Sequence, residues 1–188
     1  MKIINLDQGT PEWHKFRSNH IGASDCSSIM GLNPFKSERQ VWEEKVFGFQ
    51  ELVTNKMMKG QINEQKARDY YISTYGMIIQ PYVGECETYP YISGSFDGIN
   101  FTHKKLVEIK CGLSSHRLAK MGVIPIYYEA QCQHQLYLMG LLEMDYLSYI
   151  SDDDAIILKV VRDEEFMERM LKKYQSFWEK VRKGEWSE

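Results

Sequence analysis

At 188 residues, 43% hydrophobic and 26% charged, the chain has the composition of a folded globular protein with enough length for a sizeable core. A net charge of −3 excludes a uniformly basic surface, so contact with nucleic acid would have to be local. No run reaches membrane-spanning length, Met1-Lys2-Ile3-Ile4-Asn5 does not read as a secretory leader, and Cys26, Cys86, Cys111 and Cys132 lack metal-ligand spacing; reduced thiols in a cytoplasmic protein are expected.

Thr10-Pro11-Glu12-Trp13 carries a helix start, a cap residue followed by proline at the first helical position, and this helix should break near Asn19. Ser24 is placed to cap a second, short helix ended by Gly31. Ser37 opens a third through Val41 and Trp42 to about Gly48, and a longer fourth runs from about Lys56 to Tyr75 with Gly76 as its stop. The middle reads as strands at Met77–Val83, Glu85–Tyr89, Ser93–Phe101 and Leu106–Lys110. A helix from Pro125 to about Leu142 follows, then strands Tyr146–Ser151 and Ala155–Val161 around the acidic turn Asp152-Asp153-Asp154. Asp163-Glu164-Glu165 begins a closing amphipathic helix. Without a repeat or linker, residues 1–188 are expected to form one α/β domain: a helical N-terminal segment, then a mixed central sheet flanked by helices.

Ser95-Phe96-Asp97-Gly98, with Val107-Glu108-Ile109-Lys110 ten residues on, is the most informative stretch. Alternation along a strand puts Glu108 and Lys110 on one face and Val107 and Ile109 on the other. For a hairpin turning near Thr102-His103, the simplest register pairs Asp97 with Glu108 and Ser95 with Lys110. Two carboxylates then stand beside one ammonium, an arrangement that suits a hard divalent cation and phosphodiester hydrolysis. Spacing alone also fits a surface hairpin with a cross-strand ion pair.

Other stretches are open to two readings. Glu64, with Arg68 one turn along, either points a third carboxylate at the sheet or forms an exposed helical pair. Arg17 and Ser24 flank a helix break, where they read equally as an anion site or as a solvated arginine and an ordinary cap. The helix around Tyr128-Glu129-Ala130-Gln131-Cys132-Gln133-His134-Gln135 is rich in amides, so Gln131 or Gln135 is expected to face a polar site, whereas His134 reads as a helix-surface or packing residue and not as a ligand. In the last helix Arg169, Lys172, Lys173, Lys180, Arg182 and Lys183 read as a solvated face first and a nucleic-acid contact second, and Phe166, Met170, Leu171, Tyr174, Phe177 and Trp178 as core or subunit interface.

In this order the pieces resemble the YqaJ-type viral recombinases, a family of phage lambda exonuclease-like proteins in the PD-(D/E)XK nuclease superfamily. The resemblance runs from Trp13-His14-Lys15-Phe16-Arg17 and Ile21-Gly22-Ala23-Ser24, through Gly60 to Glu64 and Ala67-Arg68, to Ser95-Phe96-Asp97-Gly98, Glu108-Ile109-Lys110 and Tyr128 to Gln133. Phe96 stands where the superfamily name has proline. The resemblance implies a restriction-endonuclease-like core and a Mg²⁺-dependent exonuclease, with Mn²⁺ able to substitute. Such an enzyme digests one strand of linear duplex DNA from the 5′ end and leaves 3′ tails for a single-strand annealing recombinase. It assigns Asp97, Glu108, the Ile109 carbonyl and Glu64 to the metal, Lys110 and Gln131 to the water or phosphate, and Arg17, Ser24 and Ser95 to the 5′-phosphate. It further implies a phage or prophage protein in a bacterial host, able to form a trimeric ring. The alternatives are an endonuclease or nickase on the same core, and a DNA-binding scaffold without activity.

Overall fold

The structure, a computed structural model, describes residues 1–48 and 55–186, with side chains throughout these except at 55–62. Local signals set most helix starts. In α1 (Pro11–Ser18) the Thr10 hydroxyl accepts from the Trp13 amide, and α3 (Glu38–Phe47) opens on a reciprocal Ser37–Gln40 capping box and ends at Gly48 in the left-handed conformation. Between them a 3-10 turn, Ala23–Asp25, leads into the single-turn α2 (Cys26–Ile29), so Ser24 lies inside the turn and caps nothing. Helix α4 covers Asn55–Tyr75; Gly60 and its neighbours fall in its early turns, where side chains lie outside the described residues.

Among the described residues six strands form one sheet in chain order: β1 (Lys2–Ile4), β2 (Gln80–Glu85), β3 (Ser93–Asn100), β4 (Lys105–Lys110), β5 (Glu143–Ser151) and β6 (Asp154–Val161). All neighbours are antiparallel except β4 and β5, which the helices α5 (Leu113–Ala119) and α6 (Ile126–Met139) connect as a crossover. β1 and α5 carry no strong local signal and were not expected. The strand expected over Glu85–Tyr89 ends at Glu85, beyond which the chain turns, with the Cys86 amide bonded to Ile92 and the Ile92 amide to Tyr89. Helix α7 (Glu164–Lys183) closes the chain, capped by Asp163, with Met170, Tyr174 and Phe177 buried as the apolar pattern indicates.

Each sheet face has its own cover. Helix α4 packs on Val107, Ile109, Leu147 and Tyr149 through Ala67 and Tyr71. On the other face α6, backed by α2 and α7, packs on Phe96, Leu106 and Tyr146. Both faces of β4 are therefore buried, including the one that the polar alternation of Glu108 and Lys110 marks. Helix α5 is pinned to β5 and β6 by buried His116, which hydrogen-bonds Ser148 Oγ at 2.9 Å and Asp154 Oδ1 at 3.0 Å. Among the described residues no helix is long and apolar enough to cross a membrane.

Candidate active site

β3 and β4 pair in the register expected, Asn100 with Lys105 and Gly98 with Val107; Asp97 and Glu108 stand one step beyond that last pair. At this point β3 bulges. Gln80 faces Ile99 while Tyr82 faces Phe96, so two steps on β2 span three on β3. Bulges re-aim side chains and end regular pairing, and the strict alternation assumed for β3 does not hold here. Gly98 also meets a close approach, since a Cβ there would come within 2.5 Å of Ile79 Cδ1. Asp97 Oδ2 accepts from the Ile109 amide at 2.8 Å, and Arg68 Nε donates to the Asp97 carbonyl, also at 2.8 Å.

Glu108 is fully buried with donors on both oxygens. Oε1 accepts from Lys110 Nζ and from Gln131 Nε2 at 2.7 Å; Oε2 accepts from Gln135 Nε2 at 2.6 Å. The ammonium of Lys110 also lies 4.9 Å from the centre of the Tyr128 ring. Burial raises the Asp97 carboxyl well above the usual range, with the Glu108 charge adding to it, Lys110 opposing and Glu64 adding further. Glu64 is raised as well, by burial first, against the pull of Arg68 and Lys110. Burial works against the Lys110 charge, but Glu108 and Asp97 outweigh it and hold its pKa above the ordinary lysine value. Cys111, next in sequence, is pushed up to about 11 by burial, Glu64 and Asp97, so its thiol stays protonated and is no nucleophile near neutral pH.

One cavity of about 150 Å³ brings Asp97, Glu108, Lys110 and Gln131 together with Arg17, Ser24 and Ser95. Glu64 lies just outside it, on the wall of a neighbouring cavity of about 540 Å³, and Gln8 lines both. Arg68 is buried against Glu64 at 2.7 Å, so this pair is not the exposed helical pair that spacing alone allowed. At the other end Arg17 Nη2 donates to Ser24 Oγ at 2.9 Å, its guanidinium lies 4.6 Å from the Trp13 ring centre, and Trp13 Nε1 donates to Ser95 Oγ at 2.8 Å. A guanidinium, two hydroxyls and an indole thus line one end of the cavity, a donor-rich pocket whose chemistry suits an anion.

Behind that pocket lies a buried ion pair. Lys45, from α3, bonds Asp25 Oδ2 at 2.8 Å and the Arg17 carbonyl at 3.0 Å, and Asp25 Oδ2 also accepts the Gly22 amide at 2.9 Å. Both side chains are 5% exposed. Twenty positions separate the two residues, and no local spacing signals their contact. Burial opposes ionisation of Asp25, but Lys45 and Arg17 prevail and hold its pKa at about 2, against an ordinary 3.8. A depressed carboxyl contributes stability that is complete above its unfolded pKa and is lost as pH falls through the folded value. Urea melts of Asp25→Asn should therefore show a loss of about 2–4 kcal/mol at pH 7. The gap to wild type should close between about pH 4 and pH 2; a gap independent of pH would show that the pair contributes nothing through ionisation.

As the side chains stand, no three acidic, histidine or cysteine groups among the described residues are arranged to hold a metal ion. The donor set nonetheless fits a divalent cation. Asp97, Glu108 and Glu64 offer only oxygen, and added positive charge would offset the repulsion among them that, after burial, contributes to the raised Asp97 and Glu64 carboxyls. The Ile109 carbonyl is the further ligand that the resemblance implies; the Ile109 amide donates to Asp97 Oδ2.

The structure of the alkaline exonuclease LHK-Exo from Laribacter hongkongensis is similar at a TM-score of 0.80, with 24% identity over 93% of this chain and 94% of that one. LHK-Exo in complex with dAMP gives 0.81 at the same identity and coverage. A phage-related exonuclease from Haemophilus somnus 129PT gives 0.63, at 16% identity over 86% of this chain and 93% of that one. At these identities the likeness is one of fold, the PD-(D/E)XK architecture that the resemblance implied. No curated protein matches significantly in sequence. The model of the YqaJ-like viral recombinase domain matches residues 12–141, a span that runs from α1 through α6 and holds every candidate site residue. The chain belongs to the YqaJ-like viral recombinase family.

Proposed function

We propose that the protein is a Mg²⁺-dependent 5′-to-3′ DNA exonuclease that trims one strand of linear duplex and leaves 3′ tails suited to a phage-type annealing recombinase. One observation carries this reading: the anion pocket of Arg17, Ser24 and Ser95 and the acidic group of Asp97, Glu108 and Lys110 line the same small cavity. A terminal 5′-phosphate in the first and a scissile phosphate in the second are then neighbours on one strand, and an internal cutter has no need of the first.

Asp97 and Glu108, with Glu64 beside them, would hold the cation. When bound there, a divalent cation supplies an acidified water and offsets charge developing on the phosphate. Lys110 orients the attacking water and donates toward the phosphoryl oxygens, and the Gln131 amide, half-exposed on the cavity wall, fixes the same groups from α6. Arg17 and Ser24 bind the terminal phosphate and set the register of the strand, with Trp13 holding Ser95 in place.

Arg17→Ala tests the pairing of the two sites. Loss of a charged hydrogen bond worth about 1.5–3 kcal/mol should raise KM for 5′-phosphorylated linear duplex by about 10-fold to 150-fold. KM for 5′-hydroxyl ends should change little, so the preference for phosphorylated ends disappears. A variant that keeps the wild-type preference would remove Arg17 from the phosphate pocket.

A further inference from the structure

Gln131 and Gln135 stand one turn apart on α6 and donate to opposite oxygens of the same buried carboxylate. Gln131 lines the cavity, whereas Gln135 is fully buried behind it, off the lining, with its Nε2 also 3.5 Å from the Ser95 carbonyl. The Oε1 of Gln135 has no hydrogen-bond partner among the described residues. An orphaned buried carbonyl costs about 1–3 kcal/mol, and a methionine or leucine of similar size would avoid that cost at this fully buried position. Turning the amide over does not help, because its oxygen would then meet a carboxylate already paired with the Lys110 ammonium. What the amide offers that an apolar side chain does not is the short bond to Glu108 Oε2.

We propose that Gln135 is a positioning residue for the cation site: it fixes Oε2 of Glu108 from within the core and so holds Oε1, which accepts from Lys110 and Gln131, on the cavity side where a cation would bind. The inference rests on the metal-dependent reading above. Groups that orient a ligand from behind typically cost 10-fold to 100-fold in metal affinity when removed.

Gln135→Met keeps the volume and removes the donor. Titration of Mn²⁺ alone, without DNA, should show about 10-fold to 100-fold weaker binding than wild type, with a cooperative melt retained in the metal-free protein. In a Glu108→Gln background the same change should have almost no further effect, since the group it orients is gone. Equal Mn²⁺ affinity in folded Gln135→Met and wild type overturns the inference. If wild type and Glu108→Gln bind Mn²⁺ equally, the metal site itself is misassigned, and the role of Gln135 falls with it. Should Gln135→Met fail to fold, wild-type protein decides: the side-chain amide resonances of Gln135 should shift on saturation with Mg²⁺, and resonances that stay in place contradict the inference.

Discussion

Lys110→Ala is expected to lower kcat on linear duplex DNA by about 10²-fold to 10⁴-fold, the range for removing a group that orients a nucleophile or stabilises developing charge. Lys110 is placed for both tasks. It sits on the acidic cluster at Glu108, opens onto the cavity, and keeps its charge because Glu108 and Asp97 outweigh the effect of burial. KM should change little, since Arg17 and Ser24 retain the terminal phosphate. Cleavage unchanged by the substitution would remove Lys110 from the mechanism, and weakened binding with kcat intact would make it a binding residue only.

Asp97→Asn should abolish detectable cleavage and at the same time stabilise the metal-free fold. The carboxylate is buried and crowded by Glu108 and Glu64 with one ammonium to balance them; burial first, and that crowding second, raise its pKa. Asparagine keeps an acceptor for the Ile109 amide but removes one negative charge from the cluster. Each 1 kcal/mol relieved should raise Tm by about 2–4 °C in a chain of this size. Saturating Mg²⁺ should then raise the wild-type Tm and leave that of Asp97→Asn where it was. A variant that melts below wild type without metal, or gains as much from Mg²⁺, would show that Asp97 serves packing and not cation binding. Stability given up at an active site and regained on its removal is a common pattern.

How far the sequence speaks for itself depends on the range of the interaction. Thr10-Pro11, Ser37 and Asp163 announce their helices because a cap is satisfied within three residues. The Asp97–Glu108 register is legible because a short hairpin leaves one simple alignment. Ser24 misleads, since a serine at a helix break looks like a cap until Arg17 is seen donating to it. Where meaning depends on distant partners, spacing is silent. The Asp25–Lys45 pair, the bulge that sets Asp97, and the indole of Trp13 on Ser95 are products of packing. The excess of amides in α6 falls between these cases: composition points to a polar site, and only the fold shows that Gln131 faces the cavity while Gln135 works from behind.

The central claim is that one cavity joins recognition of a terminal phosphate to hydrolysis beside it. The most direct test compares initial rates with Mg²⁺ on 5′-phosphorylated linear duplex, 5′-hydroxyl linear duplex and covalently closed circular duplex. Fast release of 5′-mononucleotides is expected from the first, slower release from the second and none from the third. Degradation of the closed circle at a rate matching the phosphorylated linear duplex would contradict it.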